Sequence, residues 1–251
     1  KLLAEKTAMD LSWFFGDYLT TNQKIDYTID AVTREKDSIQ VTIKNKRNIT
    51  APVALYGIKD KKIKFKKWVT NIDSTKTVSI KKGEFDRLSL NYENLYPEYN
   101  TLDNWKPIDK RLLNKPLKLT FIKDIEDPYY NQLFYQPEVK YNFYDGLILG
   151  AVFHNKPLIN RNLEFNIAPS YATKSNNITG RFSVIYNQFF EESSLYKIRY
   201  GVFGTNLHYA EDLAYNSFIP FINIAFRRKS LREASNKSIT AKIVHIDKEV
   251  L

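Results

Sequence analysis

Leu163-Glu164-Phe165-Asn166-Ile167-Ala168-Pro169-Ser170-Tyr171 places Leu163, Phe165, Ile167 and Tyr171 on one side of an extended chain and Glu164, Asn166, Ala168 and Ser170 on the other. Successive side chains of a strand point to opposite faces, so this stretch reads as a strand with one apolar and one polar face, its apolar row interrupted by Pro169. Working outward, Arg181–Gln188 repeats the scheme with Phe182, Val184 and Tyr186 against Arg181, Ser183 and Asn187. Tyr196, Ile198, Tyr200 and Val202 oppose Lys197, Arg199 and Gly201, and Phe218, Ile222, Ile224 and Phe226 oppose Asn223, Ala225 and Arg227. Upstream, Asp145-Gly146 between Val139–Tyr144 and Leu147–Phe153 is a two-residue hairpin signal.

Two architectures share this pattern. A soluble sandwich buries its apolar faces against each other, whereas a transmembrane barrel turns them to lipid and lines its lumen with polar groups. Segment lengths near the roughly 9 to 11 residues of a tilted spanning strand, charges on the polar rows, and aromatics near the strand ends favour the barrel.

The 251 residues carry a net charge of +10, 14% aromatic residues with 17 Tyr, one Met and no Cys. Without cysteine there is no disulfide framework, thiolate nucleophile or Cys-based zinc site. No run of 18 apolar residues exists, which excludes a membrane helix but not a membrane strand. The chain starts at Lys1 without an initiator Met or signal peptide and is expected to be a piece of a longer or processed polypeptide.

Four segments follow from the pattern. Residues 1–22 are predicted to be helical, with Leu2, Leu3, Ala8, Leu11, Phe14, Phe15, Tyr18 and Leu19 as an apolar stripe that is either the end of a preceding domain or docks on the one that follows. Residues 23–92 switch to a period of two: Ile25, Tyr27 and Ile29; Ile39, Val41 and Ile43; Val53, Leu55 and Tyr56; Ile63, Phe65 and Trp68; Val78 and Ile80; Leu88 and Leu90. Short strands at this spacing predict a sandwich of immunoglobulin type. Residues 93–128, with Pro97, Pro107, Pro116 and Pro128, form a connector in which Leu117–Ile122 has strand character. Residues 129–251 are the antiparallel barrel strands, so the fold class is mainly β.

Chemistry is sparse. The six lysines between Lys59 and Lys67, with Phe65 and Trp68, match a basic, aromatic patch for nucleic acid, a lipid-facing surface, or lysines that guard an edge strand against pairing. The edge-strand reading fits best, because no recognition motif accompanies the run, and a nucleic-acid partner is not expected. His154, His208 and His245 lack the spacing of a zinc-binding helical pair, and the carboxylate pairs Glu191-Glu192 and Glu211-Asp212 fall in loops. No phosphate-binding loop or nucleophile elbow is present. The expectation is therefore no catalytic, cofactor-binding or metal residue in this chain.

Asp10-Leu11-Ser12-Trp13-Phe14-Phe15-Gly16-Asp17-Tyr18-Leu19 resembles the helix near the end of the catalytic domain of M1-family zinc aminopeptidases, with Tyr18 where Trp is commoner. In that family a β-sandwich follows directly. Residues Asn94–Trp105 and Tyr141–Gly150 resemble, more loosely, a Bacteroidota subgroup whose peptidase continues into an outer-membrane β-barrel. The resemblance implies an upstream metallopeptidase domain in which two His and a Glu hold zinc and another Glu activates water. It also implies localisation in the bacterial outer membrane, lipid and peptide substrate as partners, and transmembrane β-strands completed from beyond Leu251 or by a partner. The alternative from another class is a non-enzymatic outer-membrane subunit of a transport or assembly complex. A third reading is a pair of soluble sandwiches that bind a glycan or protein.

Overall fold

The computed structural model describes residue 6 and residues 10–122, 125–156, 161–191, 193–211, 213–230 and 232–250. The fold is mainly β, with 57% strand and 3% helix among the described residues. It divides into two compact units, Lys1–Pro116 with Pro128–Asn131, and Leu117–Asp127 with Gln132–Leu251.

The first unit begins with a single helical stretch of π type, Trp13–Tyr18, where the Leu19 amide donates to the Phe14 carbonyl. Upstream, Asp10 accepts from the Ser12 amide and hydroxyl; downstream, the Thr20 and Thr21 hydroxyls bond back to the Gly16 and Asp17 carbonyls. Such side-chain bonds compete with the helical ladder. Of the predicted stripe Tyr18 packs against the core that follows, joined there by Trp13, which the stripe did not include, whereas Phe15 and Leu19 stay exposed. Leu2, Leu3 and Ala8 of the predicted stripe lie outside the described residues.

Two antiparallel sheets then share one core. Strands β1 (Tyr27–Arg34), β2 (Ser38–Asn45) and β5 (Thr75–Lys81) form one sheet. Strands β3 (Val53–Lys59), β4 (Lys62–Val69), β6 (Arg87–Leu90) and β7 (Trp105–Pro107) form the other, in the order β4-β3-β6-β7. Alternate residues turn inward, so Tyr27, Ile29, Val41, Ile43, Val78 and Ile80 of the first sheet meet Val53, Leu55, Leu88 and Leu90 of the second. Each such side chain contributes about 1.5–3 kcal/mol on burial. Asp60-Lys61, both with positive φ, make the two-residue turn between β3 and β4. Strand β7 lies in the stretch predicted as connector; its terminal Pro107 is tolerated because β7 is the outermost strand of its sheet.

Residues 91–104 lie over β1 as a strap. The Tyr99 amide donates to the Ile25 carbonyl, and the Thr28 hydroxyl donates to the Asp103 carbonyl. Glu98 anchors the strap, accepting from the Tyr27 amide at 3.2 Å and from Asn104 Nδ2 at 3.0 Å. Burial pushes the Glu98 carboxyl up to about 7, against the smaller opposing pull of its donors. A carboxyl whose folded value is raised holds its proton more tightly when folded. Its stabilisation is therefore complete below the ordinary Glu value and is lost as pH rises through about 7. The first unit is expected to be less stable at pH 8 than at pH 4.5 by up to about 3 kcal/mol through this group. Glu98→Gln should flatten the profile. Trp13, Trp68 and Trp105 all belong to this unit, so urea denaturation followed by tryptophan fluorescence at the two pH values is the measurement.

The second unit is one nine-stranded sheet. Its strands are β8 (Leu117–Phe121), β9 (Asn131–Asn142), β10 (Gly146–His154), β11 (Leu163–Ala172), β12 (Asn177–Phe189), β13 (Leu195–Ala210), β14 (Leu213–Phe226), β15 (Ser238–Lys242) and β16 (His245–Lys248). Neighbours in sequence are neighbours in space from β8 to β15, and β16 continues along β14 beyond β15. From β9 onward each recorded pairing is antiparallel. The expected hairpin is present, but its turn is the three residues 143–145 rather than Asp145-Gly146: Gly146, at φ +70°, already pairs with Asn142. Among the described residues no pairing joins β8 to β15 or β16.

Candidate functional site

The register sorts the long strands into two faces. Across β9 to β14 one row after another carries Tyr135, Val139, Leu149, Phe153, Leu163, Ile167, Tyr171, Phe182, Val184, Tyr186, Tyr200, Phe218 and Ile222 on the same side. The opposite side carries Gln136, Glu138, Lys140, Asn166, Ser170, Thr179, Arg181, Asn187, Arg199 and Asn223. Along β11 the apolar row is open, with Leu163, Ile167 and Tyr171 at 51%, 44% and 47% exposure, while Glu164, Ala168 and Ser170 beside them are at 8%, 0% and 9%. A water-soluble sheet has the reverse arrangement, because covering apolar surface is what drives its folding.

Polar side chains on the covered face are tied to one another across strands. Arg181 on β12 reaches Glu138 on β9 through two parallel bonds of 2.9 and 2.7 Å, and Lys140 adds a contact to Glu138 at 2.8 Å. The ion pair passes over β10 and β11 where Gly150 and Ala168 leave room. A Cβ on Gly150 would lie 2.4 Å from Ser170 Oγ.

At the end where β9 turns into β10, Asp145 is fully buried. One of its carboxylate oxygens lies 2.6 Å from His208 Nδ1 and accepts from Ser175 Oγ at 2.8 Å; the other accepts from Asn142 Nδ2 at 3.1 Å and from the His208 amide at 3.4 Å. Asn142 Nδ2 also donates to the His208 carbonyl. β9 and β13 are four strand intervals apart, roughly 19 Å in a flat sheet. These bonds therefore require the sheet to bend toward its polar face at this end.

At the opposite end Glu164 accepts from Lys156 Nζ at 3.0 Å and Asn187 Nδ2 at 2.9 Å, and Arg161 pairs with Glu126 at 2.7 Å. An open cleft of about 350 Å³ lies here, lined by Gln136, His154, Lys156, Glu164, Asn166 and Ser183 among others. The two ends differ in the number of residues between consecutive strands: three, four and two at the end beside Asp145, and eight, five and eleven at the other.

No family model, curated protein or solved structure matches this chain.

The residues weighed for chemistry are dispersed. His154 stacks on Phe134, His208 belongs to the Asp145 cluster, and His245 is exposed on β16. Among the described residues no group of three or more His, Asp or Glu is placed to hold a metal ion. Glu192 and Asp212 lie outside the described residues. The lysine run spans the end of β3, the β3–β4 turn and β4, of which only β4 is an edge strand. Phe65 turns inward to stack on Phe85, so only Trp68 of the two aromatics is open to solvent. Sequence reasoning missed the Asp145–His208 cluster: Asp145 was legible only as a turn residue, and its partner is 63 positions away.

Proposed function

We propose that the second unit is part of an outer-membrane β-barrel, and that this chain is the membrane-anchoring portion of an M1-like zinc metallopeptidase whose zinc and catalytic residues belong to an upstream domain. The observation that carries the anchoring is the inverted burial along β11 and β12, where Leu163, Ile167, Tyr171, Phe182 and Tyr186 are open while Glu164, Ser170, Thr179 and Asn187 are covered. In water that arrangement leaves a large apolar surface unpaid by any partner; against hydrocarbon it is the stable one. The bending of the sheet toward its polar face, strands of 9 to 16 residues from β9 to β14, and Tyr and Phe near strand ends, such as Tyr141, Tyr171, Tyr196 and Phe226, agree with it. A bilayer does not tolerate unpaired strand edges, so in this reading β8 and the β15–β16 edge pair with further strands of the same polypeptide or of a partner.

The peptidase half of the reading rests on the Asp10–Leu19 motif, followed at once by a two-sheet module onto whose core Trp13 and Tyr18 pack. That module is read as an immunoglobulin-type spacer. Zinc finds no ligand set among the described residues, so no step of peptide hydrolysis is assigned to this chain.

Barrel strands of this kind have short periplasmic turns and long outer loops. The chain has no cysteine, so single cysteines are clean reporters. Ser230→Cys, in the 227–237 loop, should react with an impermeant maleimide on intact cells, and Ser175→Cys, in a short turn, only after the outer membrane is opened. Equal labelling of both on intact cells, or recovery of the chain in the soluble fraction, contradicts the reading.

A further inference from the structure

The excess positive charge is not spread over the chain. Residues 23–92 contain 16 Lys and Arg against 8 Asp and Glu, which is most of the net +10. Within the first unit it concentrates where the two sheets end side by side. Strand β4 is the edge of one sheet and β5 the edge of the other. Lys67 Nζ on β4 donates to the Ser79 carbonyl on β5 at 3.3 Å, and Lys76 Nζ donates to the Thr70 carbonyl at 2.7 Å. Lys62, Lys64, Lys66 and Lys67 of β4 are thus joined by Lys76 and Lys81 of β5, with Lys59 at the end of β3, Lys61 in the β3–β4 turn and Lys82 just past β5.

Few of these charges are neutralised. Lys66 pairs with Glu93 and Lys61 lies over the Tyr130 ring, but among the described residues Lys59, Lys62, Lys64 and Lys81 form no ion pair. All four are exposed. Ile63 and Trp68 are exposed on the same strand, which adds an apolar and an interfacial aromatic side chain to the cations. Guarding an edge strand needs one or two lysines; six on two adjacent edge strands exceed that purpose.

We propose that this lysine edge is a docking surface for the anionic, phosphate-bearing headgroups of a bilayer. The proposal rests on the anchoring reading only for the presence of that bilayer. The edge contains lysine and no arginine. Compact ammonium charges suit a diffuse anionic surface, whereas bidentate reading of bases and guanidinium stacking on them are functions of arginine. Each lysine near such a surface contributes about 1 kcal/mol, so four act together as a substantial attraction that salt screens.

The test is lysine acylation footprinting of the full chain reconstituted into vesicles of phosphatidylcholine, or of phosphatidylcholine with phosphatidylglycerol. Lys59, Lys62 and Lys64 should be several-fold less reactive on the anionic vesicles at low salt, and this protection should vanish in 0.5 M salt (about a 4 Å Debye length). Lys59→Gln, Lys62→Gln, Lys64→Gln and Lys81→Gln combined should weaken the charge-dependent component of vesicle binding by roughly 100-fold or more. Equal reactivity on both vesicles overturns the proposal. Stronger protection by a single-stranded RNA oligomer than by anionic vesicles at equal salt also overturns it, in favour of a nucleic acid. Retention on phosphatidylcholine vesicles after an alkaline wash is scored separately: its loss sinks the anchoring reading, while the footprint on anionic vesicles still decides the lysine edge.

Discussion

Ile167→Arg is expected to weaken stable membrane insertion by on the order of 100-fold, while Asn166→Arg, one residue away, leaves it nearly unchanged. Ile167 sits in the middle of β11 on the open apolar row, level with Phe182 on β12 and Phe153 on β10. An arginine on the lipid face of a barrel strand costs about 2–4 kcal/mol near the bilayer midplane. Asn166 points to the polar face among Ser183 and His154, where a long cation has water and polar partners. The contrast is diagnostic because Ile167 is already exposed. In a soluble protein an exposed Ile exchanged for Arg changes stability by no more than about 0.5 kcal/mol. Refolding into vesicles across a urea series measures the difference directly.

Asp145→Ala has the second large effect. It removes a buried carboxylate that faces His208 Nδ1 and accepts from Ser175, Asn142 and the His208 amide, and it leaves those donors without their acceptor. Leaving a buried donor without its acceptor costs about 1–3 kcal/mol, and several are left here at once. Ser175→Ala, which deletes one neutral donor, should cost about 1 kcal/mol. If the cluster fastens the β9–β10 turn to the end of β13, the double variant Asp145→Ala/His208→Ala is much less destabilised than the sum of the single changes. Additive losses would mean that the two residues act independently.

Much of the strand content was legible because period two survives wherever one face differs from the other. Leu163–Tyr171 became β11, and the six apolar runs from Ile25 to Leu90 each correspond to a strand. Strand β7 was not legible, since Trp105-Lys106-Pro107 is too short to show a period and is recruited by pairing with β6. The β15–β16 edge was missed for a different reason: Ile243-Val244 places two apolar residues in succession between the two strands, which breaks the alternation. At the N-terminus, helical spacing did not distinguish a π turn from an α-helix, because that choice depends on local hydrogen bonds such as Leu19 to Phe14. The site-like features were the least legible. Glu138–Arg181 and Asp145–His208 join residues 43 and 63 positions apart, and only the strand register brings them together. Sequence alternation says which residues share a face, but not which face is covered.

That last distinction is the central claim, and nitroxide scanning of β11 in lipid vesicles tests it most directly. Single cysteines at Phe165, Asn166, Ile167, Ser170 and Tyr171 would be spin-labelled and their collision rates with oxygen and with a water-soluble nickel chelate compared. Labels at Phe165, Ile167 and Tyr171 should favour oxygen, as in hydrocarbon, and labels at Asn166 and Ser170 should favour the nickel chelate. Exclusion of both reagents from the apolar row, with no alternation along the strand, would mean that these side chains are covered by protein and would contradict the account.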